Sequence, residues 1–308
     1  IVDIGSNDGT CLSFFQDNGM RVLGVDPAIK IAKKANDQGI ETVGDFFSYS
    51  LSKKLQKKYG YANYITSHNA CAHIDDLLDI FKGVEYLLDN DGIFVLEVGY
   101  FVDVFTNTWF DTIYHEHLDY HTVKPFKFLF EKVGMEIIGV QKISPQGGSI
   151  RVMAQKKGGK FLNDGSIDKL IELEHSLKLD SPNTLLEFNK KINLVKNELQ
   201  LLLRNLKDQG KTIAGYGAPT KATTLMSHFG IDGKILDFIV DDNPLKQGLY
   251  TPITHIPILP VEALYQKKPD YVLILAWNFS DPIIKSNQRY SNEVGKFIVP
   301  MPNPKIIE

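Results

Sequence analysis

Cysteine is nearly absent from this 308-residue sequence. Cys11 and Cys71 are too few for a disulfide framework or for a zinc site built within the chain. Long apolar runs are missing as well. None approaches the ~20 residues that a membrane-spanning helix needs, and no signal-peptide pattern is present. Neither sign of charge prevails, and a net charge of −3 argues against a general nucleic-acid or membrane surface. With those classes set aside, 43% hydrophobic and 23% charged residues describe a soluble globular protein, for which the cytoplasm is the default. The length allows two domains of usual size. An initiator Met is also lacking and the sequence opens inside what reads as a strand, so a segment upstream is expected.

What is present is organised around the first stretch, Ile1-Val2-Asp3-Ile4-Gly5-Ser6-Asn7-Asp8-Gly9-Thr10. A short apolar run ends in a glycine-bearing turn, and a second run, Arg21–Val25, stops at Asp26. Glycines let backbone N–H groups approach a ligand closely because no Cβ stands in the way. The helix that follows offers further N–H donors. Asp26, at the tip of the second strand, is placed to accept both hydroxyls of a ribose. The dinucleotide fingerprint G-x-G-x-x-G is not met, because its first glycine is missing. Asp3 and Asp8 put negative charge where a pyrophosphate would lie, which suits a ligand carrying an ammonium and a sulfonium. At Asp3, Gly5, Ser6, Asn7 and Gly9 the sequence resembles motif I of class I S-adenosylmethionine-dependent methyltransferases.

Short apolar strands then alternate with helical segments to about residue 157, the signature of a doubly wound parallel sheet. Strands are expected at 1–4, 21–25, 41–43, 61–66 and 92–98. Ligands in such sheets sit beyond the carboxyl ends of the strands. After the third strand, Asp45 is expected to accept from an adenine amino group and Phe46 to cover the ring. After the fourth, Asn69 and His73 are candidates to touch the methionine part of the cofactor or the substrate, although Asn69 could equally cap a helix. The fifth strand leads to Tyr114-His115-Glu116-His117 and His121, so three of the eight histidines fall within seven residues. Two readings compete here. The imidazoles and Glu116 could bind a metal, but the spacing matches no zinc motif and no metal is assigned. Alternatively one His is a general base, as its unperturbed pKa near ~6.5 allows, with Tyr114 donating to an oxygen that becomes an enolate. A closing antiparallel pair carries Arg151, which could meet a phosphate or carboxylate bidentately.

Residues 158–208 read as a helical linker. Leu185, Phe188, Ile192, Val195, Leu199, Leu202 and Leu206 form one apolar seam,. That seam could support a homo-oligomer through a coiled coil over 185–206, or pack on its own lobes. From 209 to 308 a second α/β pattern begins, with strands expected at 212–216, 235–240, 271–275 and 296–299. Its first turn, Gly215-Tyr216-Gly217-Ala218-Pro219-Thr220-Lys221, carries a lysine and no acid, so an anionic phosphate is the natural guest. Tyr216 and Lys221 are the candidate ligands there.

Together, Asn69-Ala70-Cys71-Ala72-His73-Ile74, Tyr114-His115-Glu116-His117, Gly147-Gly148-Ser149-Ile150-Arg151 and the 215–221 turn make the chain resemble the sugar C-methyltransferase family over essentially its whole length. The resemblance implies an α/β protein: a doubly wound Rossmann-like methyltransferase domain over 1–157, and a smaller Rossmann-like domain over 209–308. It implies S-adenosylmethionine as cofactor, His117 as general base, and Tyr114 and Glu116 assisting. The acceptor would be a nucleotide-linked keto-deoxysugar held between the lobes and methylated next to its ketone. Full-length members carry an N-terminal cysteine-rich zinc module that is not in this sequence. An O- or N-methyltransferase of a small metabolite, or an incomplete cofactor-binding protein, would share the first turn.

Overall fold

The computed structural model describes residues 1–307. The first sheet holds β1 (Val2–Ile4), β2 (Leu23–Val25), β3 (Thr42–Val43), β4 (Ala62–His68), β5 (Leu88–Gly99), β6 (Met135–Ile143) and β7 (Ser149–Lys156). Their order across the sheet is β3-β2-β1-β4-β5-β7-β6. The first five are parallel, and β7 inserts antiparallel between β5 and β6. The direction of winding reverses between β1 and β4, and that switch point is where a crevice opens beyond the carboxyl ends of the strands. Helices α1 (Thr10–Asp17), α2 (Ile29–Asp37), α3 (Tyr49–Tyr59), α4 (Leu77–Leu87), α5 (Phe101–Thr106), α6 (Val123–Lys132) and α7 (Ser166–Ser176) connect or follow these strands.

Local chemistry explains several of the boundaries. Ser48 caps α3 by accepting from the Leu51 N–H at 3.1 Å, and Asp76 caps α4 by accepting from the Asp79 N–H at 3.0 Å, each satisfying an orphan donor. The start of α6 is capped from a distance. Buried Glu174 of α7 accepts from the N–H groups of Val123 at 2.6 Å and Lys124 at 3.1 Å, and from the Tyr100 hydroxyl at 2.9 Å. Under these helices Phe81 of α4, Phe94 of β5 and Phe126 and Phe130 of α6 are fully buried. The rings of Phe81 and Phe130 stack at 4.5 Å. Each such side chain contributes about 1.5–3 kcal/mol by leaving water.

A second sheet runs β10-β9-β8-β11-β12-β13, formed by β8 (Ile213–Tyr216), β9 (Ile239–Val240), β10 (Ile258–Leu259), β11 (Tyr271–Ile274), β12 (Lys296–Val299) and β13 (Lys305–Ile307). All pairs are parallel except β12 with β13. Helices α8 (Pro182–Asp208) and α9 (Thr220–Phe229) belong to this half. The strand expected at 235–240 shrinks to its last two residues, because the N–H groups of Ile235 and Leu236 turn back onto the Asp232 carbonyl.

Contacts divide the chain into two compact units, residues 1–103 with 116–179, and residues 104–115 with 180 onward. This differs from the expected division. Residues 158–208 are not a separate linker, since 158–179 belong to the first unit and α8 to the second. The segment 104–115, expected in the first lobe, joins the second because Phe110 stacks on Phe229 of α9 at 4.9 Å. The seam of α8 also drifts. Buried residues are Phe188, Ile192, Val195, Leu199, Leu203 and Leu206, so Leu203 takes the place expected of Leu202, and Leu185 is 48% exposed. That is the 3.6-residue period of a straight helix, in place of the 3.5-residue repeat of a supercoil. Among the described residues, no helix is long and apolar enough to cross a membrane.

Candidate active site

The turn after β1 has the geometry of a ligand cradle. Gly5 has φ +77 and donates its N–H to the Val25 carbonyl at 2.8 Å; a Cβ there would lie 2.8 Å from that of Ala70. Gly9 has φ +82, and Ile40 fills the space a Cβ would need. Asp26, at the end of β2, accepts from the Asn7 N–H at 2.9 Å and the Ala28 N–H at 2.8 Å. These bonds leave each carboxylate oxygen further acceptor capacity. Asp3 is 2% exposed and accepts from the Thr66 hydroxyl at 2.7 Å. Burial holds its pKa above the ordinary carboxylate value. Asp45 is exposed and accepts from the Phe46 N–H, leaving the Phe46 ring 74% exposed beyond β3. Asn69 adopts φ +53 beyond β4 and donates its N–H to the Glu97 carbonyl at 2.8 Å. Ser6 departs from expectation. Its hydroxyl is buried and faces Gly24 without a hydrogen-bond partner, so only its backbone is available to a ligand.

Beyond β4 a 3-10 turn, Cys71–His73, meets the segment 116–118. The Leu118 N–H donates to the Ala72 carbonyl at 2.8 Å, and His73 Nδ1 lies 2.7 Å from the Glu116 carbonyl oxygen. A carbonyl only accepts, so Nδ1 carries the proton and a neutral His73 presents Nε2 as a base. The His117 ring lies 5.0 Å from that of His73. The structure thus brings His73, Glu116 and His117 together in the first unit. His121 is separate in character. It is buried, stacked on Phe126 at 4.6 Å, and burial depresses its pKa to about 4. Tyr114 falls in the second unit, where with His115 it lines a shallow groove along Thr223, Ser227 and His228 of α9. Among the described residues, no three side chains of metal-ligating type converge.

Three expected anion or substrate ligands have partners within the protein. Arg151 donates to Glu97 at 2.9 Å, and His68 Nδ1 lies 3.7 Å from the same carboxylate. The acid that answers Arg151 is therefore its cross-strand neighbour. Lys221 donates to Asn278 and lies 4.5 Å above the Trp277 ring, and burial lowers its pKa. Tyr216 is 3% exposed and donates to Asp242 at 3.0 Å, with burial raising its pKa to about 12. Sequence reasoning also missed His68, Glu97 and Cys11, whose Sγ is 3.8 Å from His68 Nε2. They come from separate elements, and no spacing announces them.

The same division of labour is found in known proteins. Residues 1–140 match a methyltransferase domain, and residues 144–302 match the C-methyltransferase C-terminal domain. The C-methyltransferase NovU of Streptomyces niveus is 36% identical over 307 residues, spanning this whole chain and 73% of that protein. Among solved structures, an S-adenosylmethionine-dependent methyltransferase from Archaeoglobus fulgidus is 15% identical, covering 50% of this chain and 85% of that one with a TM-score of 0.43. The 1,6-didemethyltoxoflavin-N1-methyltransferase of Burkholderia thailandensis, in complex with S-adenosylhomocysteine, is 16% identical over 51% of this chain and 70% of that one, with a TM-score of 0.37. The chain belongs to the C-methyltransferase family and is an S-adenosylmethionine-dependent enzyme. The first turn fits that cofactor: its glycines leave room that a Cβ would fill, and Asp26 is tied to it through the Asn7 N–H, while Asp8 at its outer side is paired with Lys34.

Proposed function

We propose that this enzyme methylates the carbon next to the keto group of a nucleotide-linked deoxysugar, with His117 as general base. The supporting observation is the pairing of His117 with a His73 whose Nδ1–H is tied to the Glu116 carbonyl. Methylating carbon requires a carbanion, and a proton alpha to a ketone is the one an imidazole can remove near neutrality. Tyr114 donates a hydrogen bond to the oxygen that becomes the enolate, as preorganised donors do for developing charge. Glu116 fixes His73 through its backbone carbonyl and assists in the same pocket. Asp3 and the Gly5–Gly9 turn hold the amino-acid end of the cofactor, with Asn69 beside them. Asp26 takes the ribose hydroxyls, Asp45 the adenine amino group, and Phe46 the ring face. S-adenosylmethionine, when bound, supplies the electrophilic methyl group.

The experiment is His117→Asn assayed with keto-deoxysugar nucleotides. Turnover falls by about 10²–10⁴-fold, with cofactor affinity by calorimetry unchanged. Normal turnover in this variant removes the base assignment. Solvent deuterium uptake at the alpha carbon by the wild type separates carbon methylation of this kind from transfer to oxygen or nitrogen, which needs no such exchange.

A further inference from the structure

Helix α6 begins without the cap its own sequence offers. Thr122 stands in the N-cap position, where a threonine hydroxyl ordinarily accepts from the first turn, yet its side chain makes no such bond. The donors are met instead by Glu174 of α7, 51 residues beyond Val123. A local cap would satisfy α6 and fix nothing else. Glu174 fixes more, because the oxygen that accepts from the Val123 N–H also accepts from the hydroxyl of Tyr100, the residue that follows β5. The residue is 5% exposed, and burying a carboxylate is costly unless its oxygens are hydrogen-bonded. Two N–H groups at a helix start and one phenol supply those bonds. Burial and the Glu174 carboxylate together push the Tyr100 pKa up, so the phenol stays protonated and remains the donor.

The two points that Glu174 joins flank a detour of the chain. The backbone leaves the first unit after Asp103 and returns at Glu116, so residues 116–122 cannot take their course from the residues just before them. Glu174 holds the chain shortly before it departs and shortly after it returns. The returning segment is laid along the end of β5: Tyr100 pairs with His121 in a short parallel bridge, and the Phe101 N–H donates to the His121 carbonyl at 2.9 Å. Ring contacts carry this order to His117. The Phe101 ring meets that of Tyr120 edge-on at 6.0 Å, and the Tyr120 ring meets that of His117 edge-on at 6.4 Å. The bonds of Glu116 and Leu118 to the 70–73 stretch support His117 from the other side.

We propose that Glu174 is a positioning residue for methyl transfer, holding the segment that carries His117 so that its imidazole is seated for the reaction. The inference rests on the role of His117 proposed above. The test compares wild type, Glu174→Ala, Glu174→Gln and His117→Asn as whole chains. In the ligand-free protein, amide hydrogen exchange reads Phe101 and Leu118, whose N–H groups bond to His121 and Ala72 and not to Glu174. Both should lose protection in Glu174→Ala along with Val123 and Lys124. Opening of Val123 and Lys124 alone would make Glu174 a local cap of α6 and overturn the proposal. With S-adenosylmethionine and a keto-deoxysugar nucleotide, kcat of Glu174→Ala should fall by about 10–10²-fold, the scale of a small misplacement. The assay is run where the variant is folded, and calorimetric affinity for S-adenosylmethionine should be unchanged. A loss of stability alone would not separate the two in this way, and a parallel loss of cofactor affinity would overturn the proposal. Glu174→Gln keeps an acceptor for Tyr100 and Val123 and should recover most of kcat. Tyr100→Phe, which removes one bond and keeps the carboxylate, serves if Glu174→Ala does not fold, with smaller shifts of the same kind. Wild-type kcat in Glu174→Ala beside an inactive His117→Asn overturns this inference and leaves the base assignment standing. Wild-type turnover in His117→Asn removes the base assignment, and this inference falls with it.

Discussion

Replacing Gly5 by alanine isolates the physical requirement of the cofactor turn. Two costs add. A non-glycine residue at φ +77 costs about 1–2 kcal/mol in backbone strain. The new Cβ would also lie 2.8 Å from the Ala70 Cβ, well inside the ~3.5–4 Å at which carbon atoms attract, and relieving such overpacking costs about 1–3 kcal/mol. Ala70 precedes the Cys71–His73 turn and follows Asn69, so its displacement should also weaken cofactor binding. Gly19 is the natural control, since it has φ +78 and nothing within 4 Å of its would-be Cβ. Gly19→Ala therefore meets the strain alone. At roughly 2–4 °C per kcal/mol, thermal unfolding should fall by several degrees more for Gly5→Ala than for Gly19→Ala, and calorimetry should show weaker S-adenosylmethionine binding in the former only. Adding Ala70→Gly to Gly5→Ala should recover the clash but not the strain, a coupling that a double-mutant cycle reads directly. Equal destabilisation by the two single variants, with unchanged cofactor affinity, would refute the reasoning.

Three further outcomes follow from buried polar groups. His121 has a pKa depressed to about 4 by burial, so the unfolded chain binds its proton first as pH falls from ~6.5. About 3 kcal/mol of stability, full above that pH, is lost progressively toward pH 4, and His121→Phe should flatten that part of a stability–pH curve; an unchanged slope would assign it to other groups. Trp277 Nε1 donates to Oδ2 of Asp111 at 2.6 Å, and this carboxylate is fully buried. Trp277→Phe should cost about 1–3 kcal/mol by denaturant titration, and Asp111→Leu in that background should recover part of it; additive losses would contradict the pairing. Glu174→Gln turns one of the three acceptor interactions at α6 and Tyr100 into a donor, and hydrogen exchange should show earlier opening of the first turn of α6.

Much of the chain was legible because its signals are local. The Gly5–Gly9 turn and Asp26 announce themselves through short spacing along one βα unit, and the physics that reads them acts within a few residues. The first five strands and the closing antiparallel pair lie near their expected positions, and β12 covers its expected residues 296–299, since apolar runs bounded by turns locate strands,. Strands β10 and β13 were not anticipated: β10 is only two residues long, and β13 exists only by pairing with β12.

Other features were decided by tertiary structure alone. Nothing near Phe110 in sequence says that it stacks on Phe229, yet that contact carries residues 104–115 into the second unit. Arg151 and Lys221 read as free cations until the fold supplies Glu97 from β5 and Asn278 with Trp277 from the end of β11. Lys246, an ordinary loop lysine in sequence, becomes the charge at the second turn because Asp241 and Ala218 lie within its reach. Local spacing therefore determined which turns could hold a nucleotide. Which charges remain to meet it depends on partners distant in the chain, because a hydrogen bond or ion pair acts over a few ångströms of space whatever the separation along the sequence.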